Sequence, residues 1–167
     1  MTYRLRDAEP ALRLLITCFL TVLTAGYVVG LVFVGHTTSY TPEGVRGQFL
    51  GSGPDQPADE ITYAKSAGEM YTLIHNHVLS LGMIFLIVGA LLHGTSVFSR
   101  RLTTLLMIEP FAAIVTTFGG IALVRTVSPL WSWLVIASGV SLAAAYVLGL
   151  YAILAEMWSR TRGSGGA

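Results

Sequence analysis

Hydrophobic positions fall into four long runs, roughly residues 14–34, 70–98, 102–124 and 130–157, separated by one long and two short polar breaks. Each run meets or exceeds the ~20 apolar residues that a helix needs to cross a bilayer. The pattern predicts an all-α protein, an integral membrane four-helix bundle forming a single domain over residues 1–167. Before the second run, Ser66-Ala-Gly-Glu69 has capping-box spacing: serine and glutamate side chains satisfy each other's backbone N–H groups at a helix start. That places the helix start near Ala67, so the expected helices cover about 14–34, 67–98, 102–124 and 130–157. A helix over 67–98 would be ~48 Å long at 1.5 Å per residue. It would exceed the ~30 Å hydrocarbon core, with its first two to three turns at or above the outer interface. The first run is longer than the roughly 7–15 apolar residues of a secretory signal and shows no small-x-small cleavage site, so it reads as a retained anchor.

Charge placement adds an orientation. Arg4, Arg6 and Arg13 precede the first span, Arg100 and Arg101 sit between the second and third, and Arg160 and Arg162 follow the fourth. Four crossings put these seven on one side and only Arg46, Lys65 and Arg125 on the other. By the positive-inside rule both termini face the cytoplasm of a bacterial inner membrane. Residues 36–66 then form one long external loop, a solvated connector or a docking surface for a periplasmic protein, and residues 163–167 a flexible tail. Trp131, Trp133 and Trp158 bracket the last span as interfacial aromatics do.

Composition supports the class: 53% of residues are hydrophobic and 11% charged, against ~25% charged in soluble domains. No basic patch with interleaved aromatics suggests nucleic-acid binding. The single Cys18 lies in an apolar run and excludes an internal disulfide or a cysteine metal motif. Small residues recur in Gly26-x-x-x-Gly30 and along Ser138, Ser141, Ala145, Gly149 and Ala152. These allow close helix approach within the bundle, or docking against other membrane subunits.

Candidate chemistry rests on histidines, because ionisable side chains in a span usually have a partner or a role. Three of four, His75, His77 and His93, lie on the second span. His75 and His93 are 18 residues apart, five full turns, and share a face with Gly82 and Gly89 that is expected to pack inward. His77 points about 200° away from His75. At the outer end His36, His75, His77 and Arg125 could hold one b-type haem, with His36 opposite His75 or His77 and Arg125 at a propionate. The alternatives are a zinc or copper ion on His75 and His77 with Glu69 or Glu43, or histidines that only bond water and headgroups. At the inner end His93 and Glu109 flank a turn centred on Arg100 and Arg101 and fall at equal depth. They could form a protonatable relay, a quinone contact or a structural polar clamp. Pro110 should kink the third helix beside them. No nucleophile–base pair, phosphate loop or zincin helix is present.

The stretch Lys65-Ser66-x-x-Glu69-Met70, His75-x-His77, Glu109-Pro110-Phe111 and Phe118-Gly119-Gly120 resembles uncharacterised bacterial four-span membrane proteins. In architecture alone the chain is similar to membrane b-type cytochrome subunits. It departs from them in having no histidine on the third and fourth helices. Together these readings lead to a non-catalytic subunit of a larger electron-transfer assembly, respiratory or photosynthetic. The competing reading is a stand-alone membrane sensor or small transporter using His93 and Glu109.

Overall fold

A computed structural model describes residues 4–51 and 62–159. Five helices follow in order: α1 (Pro10–Thr38), α2 (Pro42–Leu50), α3 (Ala67–His93), α4 (Arg100–Thr126) and α5 (Ser132–Trp158). There is no strand among the described residues. All but α2 are long and apolar enough to span a membrane.

The helix ends follow local chemistry. The capping box is formed: Glu69 N–H donates to Ser66 Oγ at 3.3 Å and Ser66 N–H to Glu69 Oε2 at 2.7 Å. α3 stops at His93 rather than running to Phe98. The segment Gly94-Thr95-Ser96 turns out of the helix, with Thr95 Oγ1 donating to the Leu92 carbonyl at 2.8 Å. Ser99 then caps α4, so Arg100 and Arg101 occupy that helix's first turn instead of the interhelical turn. Pro110 lies inside α4. Its missing N–H leaves the Leu106 carbonyl without the usual helical donor.

The outer connection is more ordered than a loop reading allows. Thr41 caps α2 by accepting from Gly44 N–H at 3.0 Å, and Pro42 takes the first helical position. Val45 and Phe49 point down into the bundle, packing with Met70, Phe118 and Val124. Arg46 donates to the Pro129 carbonyl and to Ser132 Oγ, both at 3.3 Å. Thus α2 forms an amphipathic cap over the outer ends of α4 and α5. The rest of the predicted loop, residues 52–61, and the predicted tail at 163–167 lie outside the described residues.

α4 is the spine: 44% of its most apolar window is buried, against 11% for α1. It packs between α3 and α5, which also touch each other. Gly120 lets α4 meet α5, since a methyl there would come within 2.9 Å of Val135 Cγ2. On α5 the predicted small-residue stripe is mostly turned inward: Ser138, Ala145, Gly149 and Ala152 are buried. α1 joins by its inner half, where Ile16 and Leu20 pack with Val88, Leu92 and Ile153. At mid-depth Tyr27 stacks on Tyr146 with centroids 4.2 Å apart, and Thr24 shares a 2.9 Å hydrogen bond with the Tyr146 hydroxyl.

Cations sort onto two ends as four crossings require. Arg6, Arg13, Arg100 and Arg101 share the inner end, where Leu5 N–H donates to Gly94 O at 3.0 Å. At the outer end Arg125 Nε donates to the Lys65 carbonyl at 3.2 Å. Arg160 and Arg162 lie outside the described residues.

Candidate functional site

His36, in the last turn of α1, and His75 and His77, in α3, are all exposed near the outer end. The His77 ring sits over Phe118 with centroids 5.2 Å apart, and its Nδ1 bonds the Leu73 carbonyl at 2.9 Å. A carbonyl oxygen can only accept, so Nδ1 is the donor in that bond. Phe118 is seven residues before Arg125, which sets His77 about 10 Å inward of that cation at 1.5 Å per residue. His77 therefore lies about two turns inward of the outer end of α4.

Of the outer quartet, Arg125 is bound to the Lys65 carbonyl, and α1, which carries His36, packs on α2 and α5. No three metal-binding side chains converge among the described residues. For a zinc or copper ion, His75 and His77 thus lack the carboxylate partner expected of them: Glu69 is turned to Ser66 and Lys65, and Glu43 to Arg46.

The inner pair separates for a geometric reason. The turn between α3 and α4 centres near residues 96–97, so His93 ends α3 at the membrane boundary and is exposed. Glu109 is ten residues into α4, about 14 Å from its start. Its carboxylate Oε1 accepts from Ser141 Oγ on α5, while Oε2 is the one buried side-chain polar atom without a partner among the described residues. Thr117 donates to Ser138 Oγ at 2.7 Å two turns further out. These bonds form a polar seam between α4 and α5, which is how polar side chains hold helices together where water is absent. The face predicted to pack inward is split: Gly89 is buried and Gly82 half-buried, but His75 and His93 are exposed. Bulkier apolar residues to one side, Met70, Phe85, Val88 and Leu92, fill the core beside Gly89.

A family model, Aq_1264_TM, described as a transmembrane helical domain, matches residues 39–164. The chain belongs to this transmembrane helical domain family. No curated protein and no solved structure matched it. The family domain begins one residue after α1 ends and takes in α2 to α5. Its compact part is therefore the cap and the three closely packed helices, with α1 laid against them from outside the matched span.

One residue missed in the sequence organises the inner end of the domain. Glu156, only 4% exposed, accepts from Ser96 N–H at 2.9 Å and Ser96 Oγ at 3.0 Å, and lies 3.6 Å from Arg6 Nε. Arg13 reinforces the junction, donating to Ala8 O at 2.9 Å, to Met157 O at 3.2 Å and to Arg6 O. A carboxylate in the last turn of the last apolar run, opposite an arginine-rich amino terminus, was the available signal.

Proposed function

We propose that the chain is a non-catalytic integral membrane subunit of a larger electron-transfer assembly, respiratory or photosynthetic, in a bacterial inner membrane with both termini cytoplasmic. One observation carries the assembly reading. From Val28 to Val34, α1 is exposed on every side, and Cβ atoms at Gly26 and Gly30 would meet nothing within 4 Å. An apolar helix with small residues in open space offers other membrane subunits a surface for close helix packing. That α1 lies outside the family domain supports the same reading: the domain packs itself, and the added helix is left for a partner. On the outer side the α2 cap offers a periplasmic protein the exposed Glu43.

The electron-transfer part of the proposal is one b-type haem at the outer end. His77, through Nε2, would hold it together with His36, and Arg125 would pair with its acidic side chains. Haem would supply a one-electron carrier; the histidines would hold and orient it. Purification in mild detergent tests both parts. The proposal expects larger membrane polypeptides to accompany the chain, with haem bands in the absorption spectrum that vanish in His77→Ala. A chain that comes out with no partner overturns the assembly reading. Partners without haem bands or bound iron leave a structural subunit and overturn the cofactor reading.

A further inference from the structure

The outward face of α3 carries a polar group that the fold does not use. Asn76 is exposed, and its carboxamide bonds no described residue; its backbone carries the helix bonds, and its carbonyl also accepts from Ser80 Oγ at 2.6 Å. It lies seven residues beyond Glu69, two turns or about 10 Å further into the membrane. The depth of its neighbour His77, packed against Phe118, agrees. An amide facing hydrocarbon without a hydrogen-bond partner is costly, so this position calls for one.

Asn76 belongs to a seam. Thr72, Asn76, Leu79, Met83, Leu86 and Ala90 are spaced alternately four and three residues apart, and all are exposed. Leu79, Met83 and Leu86 are 61%, 61% and 59% exposed. This is the heptad spacing of two helices packed at a small left-handed crossing. Small residues, Thr72 and Ala90, lie towards its ends. A lone asparagine at a seam position is a known device for fixing register and a two-stranded state.

We propose that this seam is a homodimer interface: two copies of the chain pair through parallel α3 helices about a two-fold axis along the membrane normal. Copies inserted in the same direction necessarily present α3 to α3 in parallel, and a two-fold axis brings each seam residue to its own equivalent. A carboxamide is both donor and acceptor, so Asn76 complements Asn76 of a second copy. That self-complementarity selects a second copy as the occupant rather than an unrelated helix. The interface is distinct from the α1 surface and does not depend on the electron-transfer reading.

The test uses the full chain with Cys18→Ser in lipid vesicles of phosphatidylethanolamine and phosphatidylglycerol. Met83→Cys should form a disulfide-linked dimer on mild oxidation, whereas Leu105→Cys, exposed on α4, should not. Asn76→Ala should weaken dimerisation about tenfold, near the upper measured range for intramembrane polar contacts, with Asn76→Gln recovering part of it. A monomer in these vesicles, equal crosslinking at both positions, or crosslinking of Met83→Cys only to a different polypeptide from native membranes would each overturn the proposal. Loss of copurifying partners without loss of the α3 crosslink would count against the assembly reading alone.

Discussion

Replacing Glu156 with alanine should loosen the inner end of the bundle more than any other single change there. The carboxylate accepts the Ser96 N–H at 2.9 Å and its hydroxyl at 3.0 Å. Hydrogen bonds to a charged acceptor contribute roughly 1.5–3 kcal/mol each. Arg6, whose side chain is one-third exposed at 3.6 Å, adds less than about 1 kcal/mol after solvent screening. Ser96 is itself exposed, so water can reclaim part of the loss at its N–H. The net cost of Glu156→Ala should be about 2–4 kcal/mol, built from these terms. Glu156→Gln, which keeps an amide oxygen for the Ser96 N–H, should cost about half as much, and Arg6→Ala below about 1 kcal/mol. Reversible unfolding in mixed micelles, followed by helical circular dichroism against denaturing-detergent fraction, measures all three. If Arg6→Ala costs as much as Glu156→Ala, or Glu156→Ala costs under about 0.5 kcal/mol, hydrogen bonding to the α3–α4 turn is not what holds this end.

Adjacent glycines in α4 should behave oppositely. Gly120→Ala drives a methyl to 2.9 Å from Val135 Cγ2 and should destabilise by about 1–3 kcal/mol. Gly119→Ala meets nothing within 4 Å and should be neutral or stabilise by up to about 1 kcal/mol; the same unfolding assay reads both. Phe49→Ala removes the main apolar anchor of α2, 6% exposed, and should cost up to about 3 kcal/mol, with amide exchange accelerating across Pro42–Leu50 more than in α4. Ser39 holds φ of +49°, so Ser39→Gly should stabilise by roughly 1 kcal/mol; a loss would mean that its side chain matters more than its backbone. In cells, a membrane-impermeant thiol reagent should label Ser128→Cys from outside and leave Val97→Cys unlabelled if the termini are cytoplasmic.

Four spans and the sorting of Arg6, Arg13, Arg100 and Arg101 away from Arg46, Lys65 and Arg125 were legible because both follow from one-dimensional patterns. Length and charge suffice there, and no packing partner has to be known. The Ser66–Glu69 box was readable for the same reason, its bonds being local. α2 carried an equally local signal in Thr41-Pro42-Glu43, but nine residues with Gly44 and Gly47 in the middle look like a connector until Val45 and Phe49 are seen to share one face. The His93–Glu109 pairing failed on a small error with a large consequence. Ending α3 five residues early, at His93 instead of Phe98, moves the turn, and equal depth across a hairpin depends on where the turn lies. Ser141 could not be picked out as the partner of Glu109, because the rotation of α5 about its axis is fixed by side-chain packing rather than by its own sequence. Which face of α3 turns inward was likewise a contest between the histidine-bearing face and large apolar residues: Met70, Phe85, Val88 and Leu92 took the core, and Gly89 went in with them while His75 and His93 stayed out.

That contest also determines where the molecule can meet others. α1 is held at three levels: by Arg13 at the inner end, by Thr24 and Tyr27 on Tyr146 at mid-depth, and through Thr38 and the α2 cap at the outer end. Between the last two, every residue from Val28 to Val34 is exposed, with the Tyr40 hydroxyl donating to the Leu31 carbonyl. A helix fixed at both ends and free between them presents a defined surface, not a floating one. A partner packing there therefore pays little ordering cost, which is where pre-organised surfaces gain affinity. The α3 seam is rigid for a different reason, since its opposite face is core. One copy thus offers two surfaces built from different helices and different residues. The α1 surface is apolar and admits any closely fitting helix, whereas the α3 seam contains an amide that discriminates. Specificity in a hydrocarbon solvent comes from such polar groups, because lipid competes equally well for the apolar ones. Asn76→Leu should accordingly preserve folding while allowing α3 to pair in shifted registers, visible as Leu79→Cys crosslinking to Met83→Cys in mixed samples. Retention of a single register in that variant would place the discriminating contact elsewhere on the seam.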